Sequence, residues 1–174
     1  MKKNLFAAVL ISLALIFAGC TSSGTSSKDE SSNSQSDQEQ NQQPATLGVG
    51  DTASGEGYDI TVNGARFSTA GALGTEPDNG KFVIFDVTIS NYTDESETIS
   101  TLLQFELQGS DYKKYDIALF AETDTTLGGT LSAGGKMRGE IAFDVPVLDS
   151  YTLIYKNDFL SDGVQFVIPS SEIN

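Results

Sequence analysis

The stretch Gly80-Lys81-Phe82-Val83-Ile84-Phe85-Asp86-Val87-Thr88-Ile89-Ser90-Asn91 decides the fold. Val83, Phe85, Val87 and Ile89 fall on one side of an extended chain, with Asp86, Thr88 and Ser90 on the other. Side chains alternate between faces along a strand, so this period of two predicts one buried face and one wet face. Outward from this stretch the pattern recurs. Tyr58, Ile60 and Val62 alternate with Asp59, Thr61 and Asn63. Leu103, Phe105 and Leu107 alternate with Gln104, Glu106 and Gln108. Met137, Ile141, Phe143 and Val145 are expected to oppose Arg138, Glu140 and Asp144. Tyr151, Leu153 and Tyr155 repeat the alternation, as do Val164, Phe166 and Ile168.

Turn residues separate these runs. Asn63-Gly64 reads as a bulge or tight bend, because apolar residues resume at once. Asp78-Asn79-Gly80 precedes a strand, Gly128-Gly129 and Gly134-Gly135 bracket a short one, and Asp162-Gly163 opens the last. No window carries a sustained helical period; Lys113 to Glu122 is ambiguous, with room for a short helical turn. Several short strands with glycine-rich turns predict an all-β protein of two antiparallel sheets packed face to face. Phe82 or Phe85, Phe105, Phe143 and Phe166 are the large fillers expected in its core, which has no tryptophan and no disulfide to help it.

The composition changes before this region. Residues 20–45 are rich in Ser, Gln and Asn and nearly free of apolar side chains, so they are expected to form a disordered tether. A flexible chain of roughly 25 residues spans ~25–30 Å. Ahead of it, Lys2 and Lys3 precede an apolar run from Leu5 to Phe17 and the small residues Ala18 and Gly19. These are the parts of an export signal, whose apolar run of about 7–15 residues is too short to span a bilayer. The predicted organisation is a signal peptide over 1–19, the tether over 20–45 and one sandwich domain over 46–174.

Phe17-Ala18-Gly19-Cys20 resembles the lipobox of bacterial lipoproteins, with phenylalanine where leucine is usual. The resemblance implies cleavage before Cys20 and a diacylglycerol on its sulfur. Two acyl chains, at ~0.8 kcal/mol per buried methylene, hold a protein stably to a membrane. Gly80 to Asn91, together with Ala133-Gly134-Gly135-Lys136-Met137-Arg138-Gly139-Glu140-Ile141-Ala142-Phe143-Asp144-Val145-Pro146, resembles the immunoglobulin-like domain of unknown function 4352. That family is frequent in lipoproteins of Gram-positive bacteria and is related to a secreted immunogenic antigen of mycobacteria. The resemblance covers about Gly48 to Ile168. It implies an immunoglobulin-like antiparallel β-sandwich in an envelope setting and supplies no catalytic residues. Members often have an acidic-glycine turn before a Lys-Tyr pair; here Tyr112 replaces that glycine within Gly109 to Tyr115.

Charge and residue inventory narrow the chemistry. The chain has 10 Lys and Arg against 24 Asp and Glu. Without Lys2 and Lys3 the remaining 155 residues keep eight basic groups, for a net charge near −16. Nucleic acid is therefore not an expected partner, since phosphate binding draws on Lys and Arg. Histidine is absent and Cys20 is the only cysteine, which excludes Ser-His-Asp and Cys-His catalysis and zinc sites built on those ligands. Neither cofactor nor metal is expected. Glu95 and Glu97 form a carboxylate pair with no sign of the cleft a glycosidase needs. Asp111 with Asp116, or Asp158 with Asp162, offers oxygens for calcium, although such turns commonly bond their own backbone. Ser110 to Lys113 has Ser-x-x-Lys spacing, but in a hairpin turn instead of a helix. Asn91-Tyr92-Thr93 fits a glycosylation acceptor and reads better as a turn. Tyr92 and Tyr112 are candidate exposed aromatics. The expectation is a lipid-anchored extracytoplasmic lipoprotein displaying a non-catalytic binding or adhesion module. It would meet the membrane through the lipid on Cys20 and an envelope protein or glycan through its loops. The alternative is a solute-binding component of an envelope transport system, and a carboxylate-based envelope hydrolase ranks below it.

Overall fold

The computed structural model describes residues 46–174 apart from Glu56 and 158–162. The signal peptide, Cys20, the tether, Asp158 and Asp162 lie outside the described residues. All strand pairings between named strands are antiparallel. One sheet holds β1 (Thr52–Gly55), β2 (Tyr58–Ser68), β3 (Lys81–Asn91) and β8 (Lys136–Val145), in that order. The facing sheet runs β10 (Val164–Pro169), β9 (Ser150–Tyr155), β5 (Phe105–Gly109) and β6 (Lys114–Tyr115). A small ribbon joins β4 (Glu97–Ile99) to β7 (Gly129–Leu131). The β-sandwich predicted from the alternation is the observed architecture.

β3 is the organising strand. Val83, Phe85, Val87 and Ile89 are all inaccessible to solvent. Phe85 meets Phe143 edge-to-face, with ring centroids 6.1 Å apart. Its neighbour β2 would fail to present a continuous apolar face without help. Ile60 and Val62 are even-numbered, whereas Ala65 and Phe67 are odd-numbered. A slip of one residue turns every later side chain to the other face. The bulge between Val62 and Gly64 absorbs that slip, so Val62 opposes Val87 and Ala65 opposes Phe85. Asn63, the extra residue, donates its amide to Asp86 Oδ1 at 3.1 Å and Thr88 Oγ1 at 2.9 Å. From the opposite sheet Tyr151, Leu153, Phe166 and Ile168 fill the core. The buried Tyr151 hydroxyl donates to the Pro146 carbonyl at 2.6 Å, so its polar tip is satisfied.

Two local expectations need correction, and a third is made specific. Leu103 is exposed, because Thr101–Gln104 forms one helical turn (α1) and the strand starts at Phe105. Gln104 is the buried member of that turn, and its Oε1 accepts from the Ser100 N–H at 2.8 Å. Phe82 and Phe85 are both core fillers, on opposite faces. Phe82, Ile84, Ala121 and Ala142 make a second apolar cluster on the outer face of the first sheet, where water was expected. Finally, the ambiguous Lys113 to Glu122 holds no helix and turns at Ala118, whose carbonyl accepts from the Ala121 N–H at 3.2 Å. The chain there serves the open edge of β8. The Ala118 N–H donates to the Ala142 carbonyl at 2.8 Å, and Leu127 N–H donates to Glu140 at 3.0 Å. An unpaired edge invites foreign strands, and this cover blocks it. Gly139 permits the close approach: a Cβ there would lie 2.6 Å from the Leu127 nitrogen.

A groove between two loops

The segment that covers β8 then meets the loop between β2 and β3. Ala72 N–H donates to the Phe120 carbonyl at 2.7 Å, and Glu122 N–H to Ala70 at 3.1 Å. Gly71 sits at this junction, where a Cβ would collide with the Thr75 and Phe120 carbonyls. Asp144 ties down the far end of the same loop, accepting from Asp78 N–H at 2.8 Å and Asn79 N–H at 3.0 Å. The two loops are thus fixed to each other and to β8 through their backbones. Between them lies a groove of about 480 Å³. Its apolar lining includes Phe82, Ala118, Leu119 and Phe120. Its polar lining includes Glu76, Asp78, Asp116 and Asp144. Leu119 and Phe120 are 68% and 62% exposed, so the groove's lip presents large apolar surface to water. Leu73, on the partner loop, is fully exposed and holds φ at 59°, in the left-handed region that leucine seldom adopts.

A second opening of about 320 Å³ lies on the other side of Lys114 to Ile117. Its floor is the packed core itself, Phe105, Leu107 and Phe143, and the exposed Leu102 stands at its edge. Lys114 and Lys156 both pair with Glu106 beside it, at 2.6 and 2.9 Å.

The residues singled out from the sequence have other employment. Asp111 Oδ2 accepts from the Tyr115 hydroxyl at 2.9 Å and Oδ1 from Lys113 N–H at 3.2 Å. Burial works against the Asp111 anion, but the Tyr115 and Lys113 hydrogen bonds outweigh it and hold its carboxyl below the usual range. Asp116 is exposed in the groove, and no group of three acidic or sulfur ligands gathers for a metal among the described residues. Ser110 and Lys113 belong to the β5–β6 turn, closed by Tyr112 N–H to Gly109 at 2.9 Å, so helical proximity is absent. Tyr112 takes φ of 64° in the place of the family's glycine and projects into solvent. Tyr92 is exposed but its hydroxyl donates to Asp59 Oδ2 at 2.9 Å. Neither Glu95 nor Glu97 lines either groove. Asn91 is wholly buried. Its Nδ2 donates to the Glu95 and Ser132 carbonyls at 2.8 and 3.2 Å, and its Oδ1 accepts from Thr93 N–H at 2.9 Å. It knots the turn after β3 and is no glycan acceptor.

The displaced carboxylates share one direction. The Arg138 hydrogen bond holds Asp86 low, the Lys114 and Lys156 hydrogen bonds hold Glu106 low, and the Ser54 and Tyr92 hydrogen bonds hold Asp59 low. Each is set to stay an anion, whereas a general acid needs the opposite displacement. The residues that sequence reasoning missed are Leu119 and Phe120. Their signal was two adjacent large apolar residues inside a segment that lacked strand alternation.

Comparison with known proteins agrees with this architecture. The model for the domain of unknown function DUF4352 matches residues 47–165. No curated protein matches the sequence. The yjhA protein of Bacillus subtilis is 21% identical with a TM-score of 0.55, over 71% of this chain and 98% of that one. The secreted protein MPT63 of Mycobacterium tuberculosis is 23% identical with a TM-score of 0.54, over 71% and 96%. The candidate lipoprotein ycdA of Bacillus subtilis is 17% identical with a TM-score of 0.58, over 69% of this chain but 38% of its own. In the first two the shared sandwich is nearly the whole crystallised chain, so this fold stands as an independent unit. Among the described residues no helix is long and apolar enough to cross a membrane.

Proposed function

The chain belongs to the DUF4352 family of domains of unknown function, and on that premise we propose that it is an extracytoplasmic lipoprotein, held to the membrane by lipid on Cys20, whose sandwich is a non-catalytic binding module. The groove between the Ala72–Asn79 loop and the Asp116–Glu122 segment is its binding surface. One observation carries this reading: a groove fixed by backbone bonds leaves Leu119 and Phe120 more than half exposed, while the core beneath is closed. Large exposed apolar residues gathered at a concave, polar-rimmed surface mark interaction sites. The same sandwich in a candidate lipoprotein and in a secreted mycobacterial protein supports the location. The binding role fits the inventory, since the shifted carboxylates are all held as anions and histidine is absent from the sequence.

Capture from envelope extract tests the binding role. Immobilised residues 46–174 should retain an envelope component that a Phe120→Ser variant does not. Equal retention by both would remove the groove from the account. For the anchor, mass spectrometry of the mature chain should find diacylglycerol on an N-terminal Cys20, absent in Cys20→Ser. An unmodified N-terminus upstream of Cys20 would contradict it.

A further inference from the structure

The groove carries negative charge that no base among the described residues pairs with. Glu76, Asp78, Asp116 and Asp144 stand along it, and among the described residues no lysine or arginine lies within 4.0 Å of any of them. The one cation in the lining, Lys114, is turned to Glu106 Oε2 at 2.6 Å. Four other carboxylates do have a base beside them, Lys113 against Asp111 at 3.5 Å among them. Arg138 holds Asp86, Arg66 holds Glu140 at 2.9 Å, and Lys156 holds Glu106 at 2.9 Å. The groove thus sets four carboxylates with no base beside them next to the exposed apolar surface of Leu119 and Phe120.

We infer that this groove takes a basic, apolar segment of a partner protein, in which lysine or arginine flanks a leucine, phenylalanine or similar side chain. The inference deepens the binding-module reading and rests on it. The apolar residue would lie against Leu119 and Phe120, and the cations would meet Glu76 and Asp116 on the rim. Charge complementarity selects this occupant. Residues 46–174 hold twenty acidic and seven basic side chains, so a second copy is repelled. Acidic envelope polymers are repelled likewise, and a neutral glycan leaves the groove's carboxylates without a cation. A small organic cation would be enclosed in a typical ligand pocket, whereas this groove is lipped by Leu119 and Phe120, both more than half exposed.

Fluorescence anisotropy with residues 46–174 tests the inference. The probe is a labelled nine-residue peptide of alternating lysine and leucine; comparison peptides alternate glutamate with leucine and lysine with serine. Saturable binding is expected for the lysine–leucine peptide, with neither comparison peptide approaching it. Rim ion pairs are screened by salt, so affinity should fall about tenfold between ~0.05 M and ~0.5 M NaCl. Phe120→Ser, and Glu76→Gln with Asp116→Asn, should each weaken binding about tenfold, on the scale of an interface anchor. Glu95→Gln with Glu172→Gln, which removes as much charge outside the groove, should leave it unchanged. Thermal melts confirm that each variant folds. Equal binding of the glutamate–leucine peptide, or equal weakening by the Glu95 and Glu172 pair, overturns the inference. No lysine–leucine binding together with Phe120-dependent capture from envelope extract overturns the basic partner but leaves the binding module standing. Failure of both overturns both.

Discussion

Replacing Phe85 by alanine and Phe120 by alanine makes the same chemical change at two sites whose environments predict opposite outcomes. Phe85 is inaccessible to solvent, flanked in register by Ala65 and Ile141, and met edge-to-face by Phe143 at 6.1 Å. Truncating a buried phenylalanine costs about 3–5 kcal/mol, because the lost transfer energy is joined by an unfilled cavity. The aromatic pair and the short Ala65 opposite, which cannot collapse into the gap, place Phe85→Ala in the upper half of that range. Domains of this size have about 5–15 kcal/mol to lose. With a urea slope of about 1.5 kcal/mol/M, the midpoint should drop by about 3 M. Phe120, 62% exposed, should change stability by no more than about 0.5 kcal/mol. Urea denaturation of residues 46–174, followed by far-UV circular dichroism and referenced to the parent, gives both values. A Phe85→Ala loss under about 1 kcal/mol, or a Phe120→Ala loss above about 2 kcal/mol, would refute the division between core and surface drawn above.

Other perturbations have equally definite outcomes. Asn91→Ala removes both carbonyl-facing donors from a fully buried site and should cost about 2–3 kcal/mol in thermal or urea melts; a loss under about 0.5 kcal/mol would contradict its knotting role. Tyr112→Gly relieves a left-handed tyrosine and should stabilise by about 0.5–1 kcal/mol, seen as a higher Tm; a lower Tm would show that the φ of 64° carries no strain. Burial pushes the Tyr155 phenol up to about 12 from 10.0, and burial with the Asp111 hydrogen bond does the same for Tyr115. A raised folded pKa favours the neutral phenol, so this stabilisation is whole below pH 10 and is lost as pH rises towards 12. Burial raises Tyr151 as well, so absorbance at the phenolate band should show three tyrosines ionising late and together with unfolding, and six ionising alike near 10 would contradict it. At the acid end, the Arg138 hydrogen bond on Asp86 and the lysine hydrogen bonds on Glu106 lower both pKa values. Their stabilisation holds above the ordinary carboxylate range and fades as pH falls through it. Melting temperature should therefore decline below about pH 4, and Arg138→Gln should flatten part of that decline.

The sheets were legible because burial on one face writes a period of two into the chain. In β3, β8, β9 and β10 the inward positions are apolar at every second residue, Gly139 excepted, and each strand lies where the alternation placed it. The bulge at Asn63-Gly64 could be read too, since the apolar positions change parity across it. Leu103 misled because alternation continued by chance into a turn that Gln104 closes with its own side chain. The outer cluster of Phe82, Ile84 and Ala142 was hidden for a deeper reason. Those residues are apolar on a face that strand logic assigns to water, and what covers them, Ala121, is distant in sequence and sits in a segment with no period. The groove shares that origin. It arises from two loops, each non-repetitive, joined by the backbone bonds of Ala72 and Glu122, which no side-chain pattern records. Asp111 follows the turn logic that the sequence suggests, accepting from Tyr115 and from the Lys113 N–H.

A groove that is built into the fold must hold its loops together before any partner arrives. Amide hydrogen exchange of residues 46–174, without ligand, reads this directly at Ala72, Ala118, Glu122 and Leu127, whose N–H groups bond to Phe120, Ala142, Ala70 and Glu140. These four amides should exchange far more slowly than the same residues in an unstructured peptide, in step with the edge strand β8. Exchange at the free-peptide rate, with β8 still protected, would mean that the two loops are not joined and that the proposed binding surface is not there to be met.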